Sequence, residues 1–263
     1  MANTPGVNPL ECARDAALEA GAVLRARIGD PHEIGEKALR GDIVTEADRA
    51  SEASIVKRLR AGFPNSTILG EEGGVRAGTG SDRWIVDPLD GTTNYAHGYP
   101  LYNVSIAYER NGELVCGVVY APALDELYIA EAGSGAACNG RTIRVSRIGA
   151  VADAMVCTGF QPARYERNGA RFAALSQRAQ AVRRDGAAAL DLAFTAAGRF
   201  DAFWESDLSP WDVAAGALLV REAGGFVSAI DGGRFAIDAG SILASNRLVH
   251  DEMIAALTEP VEV

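Results

Sequence analysis

Two aspartates lie three residues apart where a short apolar run of the sequence ends in a turn. The stretch WIVDPLDGTTN, which begins at Trp84, contains Asp87 and Asp90. Paired carboxylates repel each other unless they are protonated or bridged by a cation, and oxygen ligands of this kind suit Mg²⁺. No lysine or arginine occurs between Arg83 and Arg110. The positive partner must therefore come from elsewhere in the chain or be a metal ion.

The residues that follow these aspartates could also serve an anion. Gly91 permits close backbone approach, and Thr92 and Thr93 offer hydroxyl and amide groups. Because Pro88 disfavours helical geometry at the residue before it, the strand is expected to end at Asp87. An Asp-Gly turn that caps a helix explains the same residues equally well.

Two further acidic segments could join the same site. Glu71 and Glu72 follow a short apolar strand and are flanked by glycines, although an acid pair is ordinarily solvated. Asp212 lies in the first turn of an apolar helix, where it approximates a capping box with Ser209. Each segment alone has an ordinary structural explanation.

Capping patterns and apolar periodicity predict the elements that hold these residues. Helices are predicted to begin after Asn8, at Ser209, and at Thr45, which has the capping residue Asp48 three positions on, in the segment GDIVTEAD that also contains Asp42. The other predicted elements are a short strand in 66–74 that runs into glycines, a loop over 73–81, a hairpin at 111–112, a strand at 155–160, a helix over 171–182, a helix in 187–201 closed by Gly198, and a last helix opening at residue 246. This order favours an α+β or mixed α/β fold. We expect one unit over 1–263 with two closely packed subdomains, about 1–148 and 149–263.

Composition and charge exclude several classes of function. The chain has 263 residues and a formal net charge of −10, so its surface repels nucleic acid and anionic membranes. It contains no apolar run of membrane-spanning length and no secretory signal pattern. Four cysteines without a C-x-x-C pair and three scattered histidines argue against a disulfide framework or a zinc site. These features predict a reduced, cytoplasmic protein.

The acidic segments together carry a resemblance that none of them carries alone. G-E-E at 70–72, D-P-L-D-G-T-T-N at 87–94 and W-D at 211–212, at the head of a helix that ends in E-A-G-G, resemble the inositol monophosphatase family of Mg²⁺-dependent, lithium-sensitive phosphatases. The similarity runs from about Asp42 to Asn246. It implies a layered αβαβα sandwich, a homodimer and a small phosphorylated polyol as substrate.

The resemblance also implies the ligands of two or three Mg²⁺ ions in the active site. One ion would be held by Glu71, Asp87 and the backbone carbonyl of Leu89, and it would carry the attacking water. A second, held by Asp87, Asp90 and Asp212, would stabilise the departing alkoxide.

Catalytic and substrate-binding roles follow from the same match. Glu71 and Thr92 would position and activate the water, and Asp42 and Thr45 would support a weaker metal and the water network. The amides of Gly91 and Thr92 would hold the phosphate. The residues expected to line the substrate are Asp90, Gly91, Thr92, Gly186, Ala187, Ala188, Glu205 and Asp212.

The leaving alcohol is predicted from Glu205. An acid at this position matches the glutamate that inositol phosphatases place against ring hydroxyls, so inositol 1-phosphate is the expected substrate. The sequence departs from the family at Ala187, where many relatives carry a hydroxyl residue, and at Ser209, where animal enzymes have histidine. Alternative substrates on the same metal core are fructose 1,6-bisphosphate, histidinol phosphate and 3′-phosphoadenosine 5′-phosphate. A different class of function is a regulatory, partner-binding protein without turnover.

Overall fold

The protein is built from five alternating layers of helices and sheets. The computed structural model describes residues 6–29, 35–36, 43–160 and 165–259. Within these ranges the helices are α1 Pro9–Arg27, α2 Glu46–Gly62, α3 Thr92–Ala96, α4 Tyr165–Ser176, α5 Ala188–Ala196, α6 Pro210–Glu222 and α7 His250–Thr258, with a 3₁₀ turn at Val151–Asp153.

The strands follow the same chain order. They are β1 Gly35–Glu36, β2 Ile43–Val44, β3 Thr67–Gly70, β4 Gly74–Arg76, β5 Asp82–Asp90, β6 Asn103–Arg110, β7 Glu113–Ala121, β8 Glu126–Glu131, β9 Gly135–Cys138, β10 Arg141–Thr142, β11 Met155–Thr158, β12 Ala181–Arg183, β13 Ala202–Ser206, β14 Phe226–Ser228 and β15 Ser241–Ser245. The pair β1–β2 forms a separate antiparallel ribbon.

The larger sheet has the strand order β10-β9-β8-β7-β6-β5-β3-β4, in which only β3 and β5 are parallel. Helices α1 and α2 pack on one of its faces. The rings of Phe63, Trp84 and Tyr108 meet there with centroids 4.5–5.4 Å apart, in an edge-on or tilted geometry that favours aromatic pairs. Burial of this cluster fixes the first helical layer.

Helices α5 and α6 form the central layer, between the two sheets. Small residues allow both helices to be buried on all sides. A Cβ on Gly117 of β7 would lie 2.9 Å from Cα of Ala215, and one on Gly216 would lie 2.5 Å from Cβ of Leu192. The glycines therefore set how closely α6 approaches the larger sheet and α5.

The smaller sheet has the order β12-β11-β13-β15-β14, with β11 parallel to both β12 and β13. Helices α4 and α7 cover its outer face. The layers thus alternate as α1/α2, larger sheet, α5/α6, smaller sheet, α4/α7, which confirms the predicted αβαβα sandwich. Because α5 and α6 pack on both sheets, the division into two subdomains stays a prediction.

The predicted helix starts are confirmed. The Asn8 side chain accepts from the amides of Leu10 and Glu11 at 2.7 and 3.3 Å, and Thr45 and Asp48 form a reciprocal capping box at the start of α2. The hairpin at 111–112 joins β6 and β7, with both residues in the left-handed region. No helix of the described residues is long and apolar enough to cross a bilayer.

Two element predictions are wrong because strand pairing overrides local pattern, and a third is wrong because a side-chain turn precedes the helix. Residues 74–76 of the predicted loop form β4, paired with β3. The helix predicted over 171–182 ends at Ser176, and Ala181–Arg183 pairs with β11 instead. The last helix begins at His250, because the Asn246 side chain accepts from the amides of Leu248 and Val249 in the turn before it.

Candidate active site

The two aspartates of the opening motif lie at the end of β5, deep in the larger sheet. The prediction that the strand ends at Asp87 is wrong: β5 continues to Asp90, which pairs with Asn103 after a register shift. The irregularity accommodates Pro88, which has no N–H to give to the ladder. Asp87 is 2% exposed and its Oδ1 accepts from the Leu89 amide at 3.0 Å.

Four carboxylates act on one another at this strand end. Burial raises the pKa of Asp87 well above its usual range, and the charges of Glu71, Asp90 and Asp212 raise it further. The side chains of Asp87 and Glu71 share a hydrogen bond, which needs a proton on one of them. The charges acting most strongly on Asp87 are thus all negative, so a cation fits the cluster.

Asp90 belongs to the acidic cluster and also binds the start of helix α5 in the central layer. Its Oδ2 accepts from Nδ2 of Asn103 at 2.7 Å and from the Ala189 amide at 2.8 Å. The N-cap of helix α5 is Ala187, whose side chain cannot cap the helix, so Asp90 supplies the cap from another layer. Burial raises the pKa of Asp90 to about 6, although these hydrogen bonds act in the opposite direction.

Asp212 has both of the roles that its sequence position allows. Its Oδ2 accepts from the Ser209 amide at 2.7 Å, so the predicted capping box of α6 is confirmed. Its charge also acts on Asp87 and on Glu205. The start of α6 is held against the larger sheet by a hydrogen bond of 3.1 Å from Ser105 to the Trp211 carbonyl.

Thr92 lies in a hydrogen-bonded chain that ends at helix α2. Its hydroxyl oxygen is 3.0 Å from the Leu89 carbonyl and 3.1 Å from Oδ1 of Asp48. Oδ2 of Asp48 accepts from the hydroxyl and the amide of Thr45 at 2.6 and 2.8 Å. The structure thus brings Thr45 and Thr92 together through Asp48. Asp42 lies outside the described residues.

The turn after β5 is fastened to the segment that precedes α5. Nδ2 of Asn94 donates to the carbonyls of Leu101 and Asp185 at 2.6 and 2.8 Å. Gly91 has φ 85°, and a Cβ there would lie 2.9 Å from the Leu101 carbonyl and 3.2 Å from Cβ of Ala187. Glycine is required at this position, and the predicted substrate segment 186–188 lies directly beside the turn.

Glu205 reaches the same region from the smaller sheet. It is half-buried on β13, and its pKa is raised well above the ordinary value by burial and then by the charges of Asp212 and Asp90. A Cβ on Gly159 would lie 2.6 Å from both Cδ and Oε1 of Glu205. The glycine at the end of β11 therefore leaves room for this carboxylate.

Sequence reasoning missed four groups that support the site. Asp48 was interpreted only as a capping residue, and Asn94, Asn103 and Gly159 were given no role. Asn103 faces Asp90 across the ladder at the first residue of β6, a register that no local pattern encodes. Asn94 could have been found from its place at the end of D-G-T-T-N.

The backbone of Glu72 is hydrogen-bonded to helix α2. Its amide and that of Gly73 donate to Oε2 of Glu52 at 2.9 and 3.1 Å, and Glu52 also pairs with Arg76 of β4. Glu52 is buried in helix α2. This arrangement fixes the loop that carries Glu71.

An αβαβα sandwich with converging carboxylates beside a tight glycine turn is typical of a metal-dependent phosphatase. The model of the inositol monophosphatase family matches residues 8–262. An inositol-1-monophosphatase of Mesorhizobium japonicum is 45% identical over 94% of this chain and 94% of its own. The Nus factor SuhB of Pseudomonas aeruginosa is 45% identical over 90% of this chain and 91% of its own. The crystal structure of the extragenic suppressor protein suhB from Bartonella henselae is 40% identical, with a TM-score of 0.92 over 95% and 98% of the chains.

The chain belongs to the inositol monophosphatase family. It is therefore a phosphatase, a phosphoric monoester hydrolase of a metal-dependent family.

Proposed function

We propose that the protein hydrolyses inositol 1-phosphate to inositol and phosphate with Mg²⁺ as cofactor. The substrate assignment rests on the position of Glu205. Its carboxylate lies close enough to the acidic cluster for the charges of Asp90 and Asp212 to raise its pKa. An acceptor beside a phosphate site suits a polyol, because its hydroxyls can donate to it.

The residues that would hold the metal ions are those of the cluster. Glu71, Asp87 and the carbonyl of Leu89 form one set, and Asp87, Asp90 and Asp212 form the second, for two or three ions in all. When bound, Mg²⁺ neutralises the phosphate dianion and lowers the pKa of the attacking water. The donor set is all oxygen, as Mg²⁺ prefers.

The chain's own groups would orient the attacking water. The Thr92 hydroxyl is held between Asp48 and the Leu89 carbonyl, so it can present its oxygen in one direction. Glu71 would accept the proton of the water, and Thr45 and Asp42 would complete the network. Positioning of this kind supplies much of the acceleration in phosphoryl transfer.

The substrate would lie between the turn after β5 and the segment before α5. The amides of Gly91 and Thr92 would bind the phosphate, and backbone groups of Gly186, Ala187 and Ala188 would line the ring together with Glu205. No cysteine serves as nucleophile in this scheme. Burial raises the pKa of Cys12 to about 11 and of Cys116 to about 12, which keeps both thiols protonated.

Phosphate release tests this proposal. The substrates are inositol 1-phosphate, fructose 1,6-bisphosphate, histidinol phosphate and 3′-phosphoadenosine 5′-phosphate, each with Mg²⁺ and with chelator. We expect Mg²⁺-dependent turnover led by inositol 1-phosphate, inhibited by lithium, and reduced about 10-fold or more in kcat/KM by Glu205→Gln. The control is Glu113→Gln, which changes an exposed acid in the β6–β7 hairpin. Turnover led by another compound would overturn the substrate assignment.

The name of the Pseudomonas relative favours a second candidate, a regulatory role through a protein partner. Capture of a partner by both the active protein and an Asp90→Asn variant without turnover would support a role separate from catalysis. A homodimer and a cytoplasmic location stay predictions, which sedimentation and cell fractionation would test.

A further inference from the structure

A second group of potential metal ligands lies in the interior, outside the carboxylates assigned above. Cys157 belongs to β11, Asp185 to the segment before α5, and Asp191 to the first turns of α5. One ligand atom of each residue, a thiol sulfur and two carboxylate oxygens, lies within 4.8 Å of the other two. Three elements of the fold thus converge on one point.

Asp191 is a buried acid that lacks a conventional hydrogen-bond donor among the described residues. It is 1% exposed, and neither carboxylate oxygen accepts a hydrogen bond of ordinary length from a described residue. The thiol of Cys157 is a weak donor to this carboxylate, and the interaction lowers the pKa of Asp191 against the larger effect of burial. Burial raises the pKa of Asp191 well above its usual range, and the charges of Asp185, Asp90 and Glu205 raise it further. A buried carboxylate that is supported among the described residues by a thiol alone is poorly compensated, so a cation at this point would stabilise it.

Cys157 completes a mixed sulfur and oxygen ligand set. Its side chain is fully buried, its thiol donates weakly to the Thr158 carbonyl at 3.9 Å, and burial raises its pKa strongly. Thiolate is a poor ligand for Mg²⁺ and a good one for Zn²⁺, which also accepts aspartate. Asp185 is half-buried, so one side of the group remains open to solvent.

We propose that Cys157, Asp185 and Asp191 bind a thiophilic divalent cation of the Zn²⁺ type, with water as the fourth ligand. On binding, the thiol and any protonated carboxyl of the group release their protons to solvent, and sulfur and oxygen each donate an electron pair to the ion, with no redox change. The ion offsets the charge of two carboxylates and a thiolate in the interior. The spacing of the cysteines along the sequence argues against a zinc site, but the fold brings Cys157 next to two aspartates that are distant in sequence.

The site is linked to the substrate region through the backbone. The Asp185 carbonyl accepts from Asn94, which belongs to the motif after β5, and Gly186 to Ala188 follow directly. A cation on the Asp185 side chain would therefore brace the segment proposed to line the substrate. Metal binding itself does not depend on the proposed phosphatase substrate, so the two proposals fail independently.

The test uses Co²⁺ as a spectroscopic probe for Zn²⁺ in the full-length protein. The protein is stripped with chelator, given Mg²⁺ in excess to occupy the carboxylate cluster, and titrated with Co²⁺. Coordination by sulfur gives a thiolate-to-cobalt charge-transfer band that oxygen ligands do not give. We expect the band in the wild type at one Co²⁺ per chain. Cys157→Ser should abolish it, and Asp191→Asn should weaken binding at least about tenfold, the lower end of what loss of a supporting contact costs a metal site.

Cys12→Ser is the matched control, because it removes a buried thiol elsewhere and should leave the band unchanged. Zn²⁺ should raise the Tm of the wild type and of Cys12→Ser but not that of Cys157→Ser. Absence of the band in the wild type, or the same band in Cys157→Ser, would overturn the proposal. If circular dichroism shows that Cys157→Ser is unfolded, Asp185→Asn decides, since this half-buried side chain can be changed with less disturbance. An unchanged Co²⁺ affinity in that variant would also overturn the proposal.

Discussion

Replacing Gly159 by alanine tests whether the position of the Glu205 carboxylate determines substrate preference. The new Cβ would lie 2.6 Å from Cδ and Oε1 of Glu205, whereas ordinary van der Waals contact begins near 3.4 Å. The carboxylate must therefore move by about 1 Å. Because it is the far end of a side chain, it can move without a shift of the backbone.

The size of the effect follows from this displacement. A misplacement of about 1 Å in a positioned group can reduce turnover about 100-fold. Loss of one hydrogen bond to a charged group costs about 1.5–3 kcal/mol, or roughly 10- to 150-fold. We expect kcat/KM for inositol 1-phosphate to fall about 10- to 100-fold. The free energy of unfolding should change by less than about 1 kcal/mol, below the range for overpacking in a rigid core.

The assay compares inositol 1-phosphate with p-nitrophenyl phosphate, which has no ring hydroxyl to bind Glu205. Turnover of the second substrate should change by less than about twofold, since no interaction with Glu205 is lost. Gly149→Ala is the matched control, because a Cβ at Gly149 meets no atom within 4 Å. The double variant Gly159→Ala with Glu205→Gln should be no worse than Glu205→Gln alone, because both changes remove the same contact.

Two outcomes would refute the reasoning. Equal losses for both substrates would mean that Gly159 supports the metal cluster or the fold and not the Glu205 carboxylate. Additive losses in the double variant would mean that the two residues act independently.

Three further predictions concern protons and the water network. In metal-free protein the pKa of Asp90 is raised to about 6. Protonation of Asp90 therefore stabilises the folded state at low pH, by at most about 3 kcal/mol. This stabilisation is lost as the pH rises through about 6. Urea denaturation in the presence of chelator should show that the free energy of unfolding falls over this pH range. Added Mg²⁺ or the substitution Asp90→Asn should remove this pH dependence. The same pH dependence in Asp90→Asn would show that Asp90 does not cause it. Burial lowers the pKa of His250, whose ring nitrogens lie 2.9 and 2.8 Å from the hydroxyls of Ser228 and Ser245. Its contribution to stability is present above about pH 6.5 and lost as the pH falls, and denaturation of His250→Gln should lack this dependence. Thr92→Val should lower kcat about 100-fold or more at similar KM, and Thr92→Ser should restore most of it; normal steady-state kinetics for Thr92→Val would exclude a role in orienting water.

The parts of the fold that depend on neighbouring residues were predictable from sequence. Asn8 with the proline after it, the Thr45–Asp48 box and the Ser209–Asp212 box each satisfy a helix end within a few residues, so their patterns are legible locally. The convergence of Glu71, Asp87, Asp90 and Asp212 was also predicted, but through the family resemblance. Local pattern alone left each of these acids with an ordinary structural explanation.

The parts that depend on pairing across the fold were not predictable. Strand β12 has only three residues and gains its structure from β11, and β5 continues past a proline because β6 resumes pairing at Asn103. The role of Asp90 as the cap of α5 depends on the packing of that helix against the larger sheet. Cys157 and Asp191 are 34 positions apart, so a helix pattern gives no sign that their side chains meet.

Glu205 and the β5 carboxylates lie on different sheets, and this separation affects how enzymes with this fold can change their substrate. Of the groups proposed to act on the phosphate, Asp87 and Asp90 lie on β5 and Thr92 follows it, whereas Glu205 lies on β13 of the smaller sheet and Gly159 directly follows β11. If Glu205 selects the alcohol as proposed, substitutions on β13 and next to β11 would alter which alcohol is accepted and leave the β5 carboxylates unchanged. A gene duplicate would then acquire a new substrate without rebuilding the carboxylates of the larger sheet.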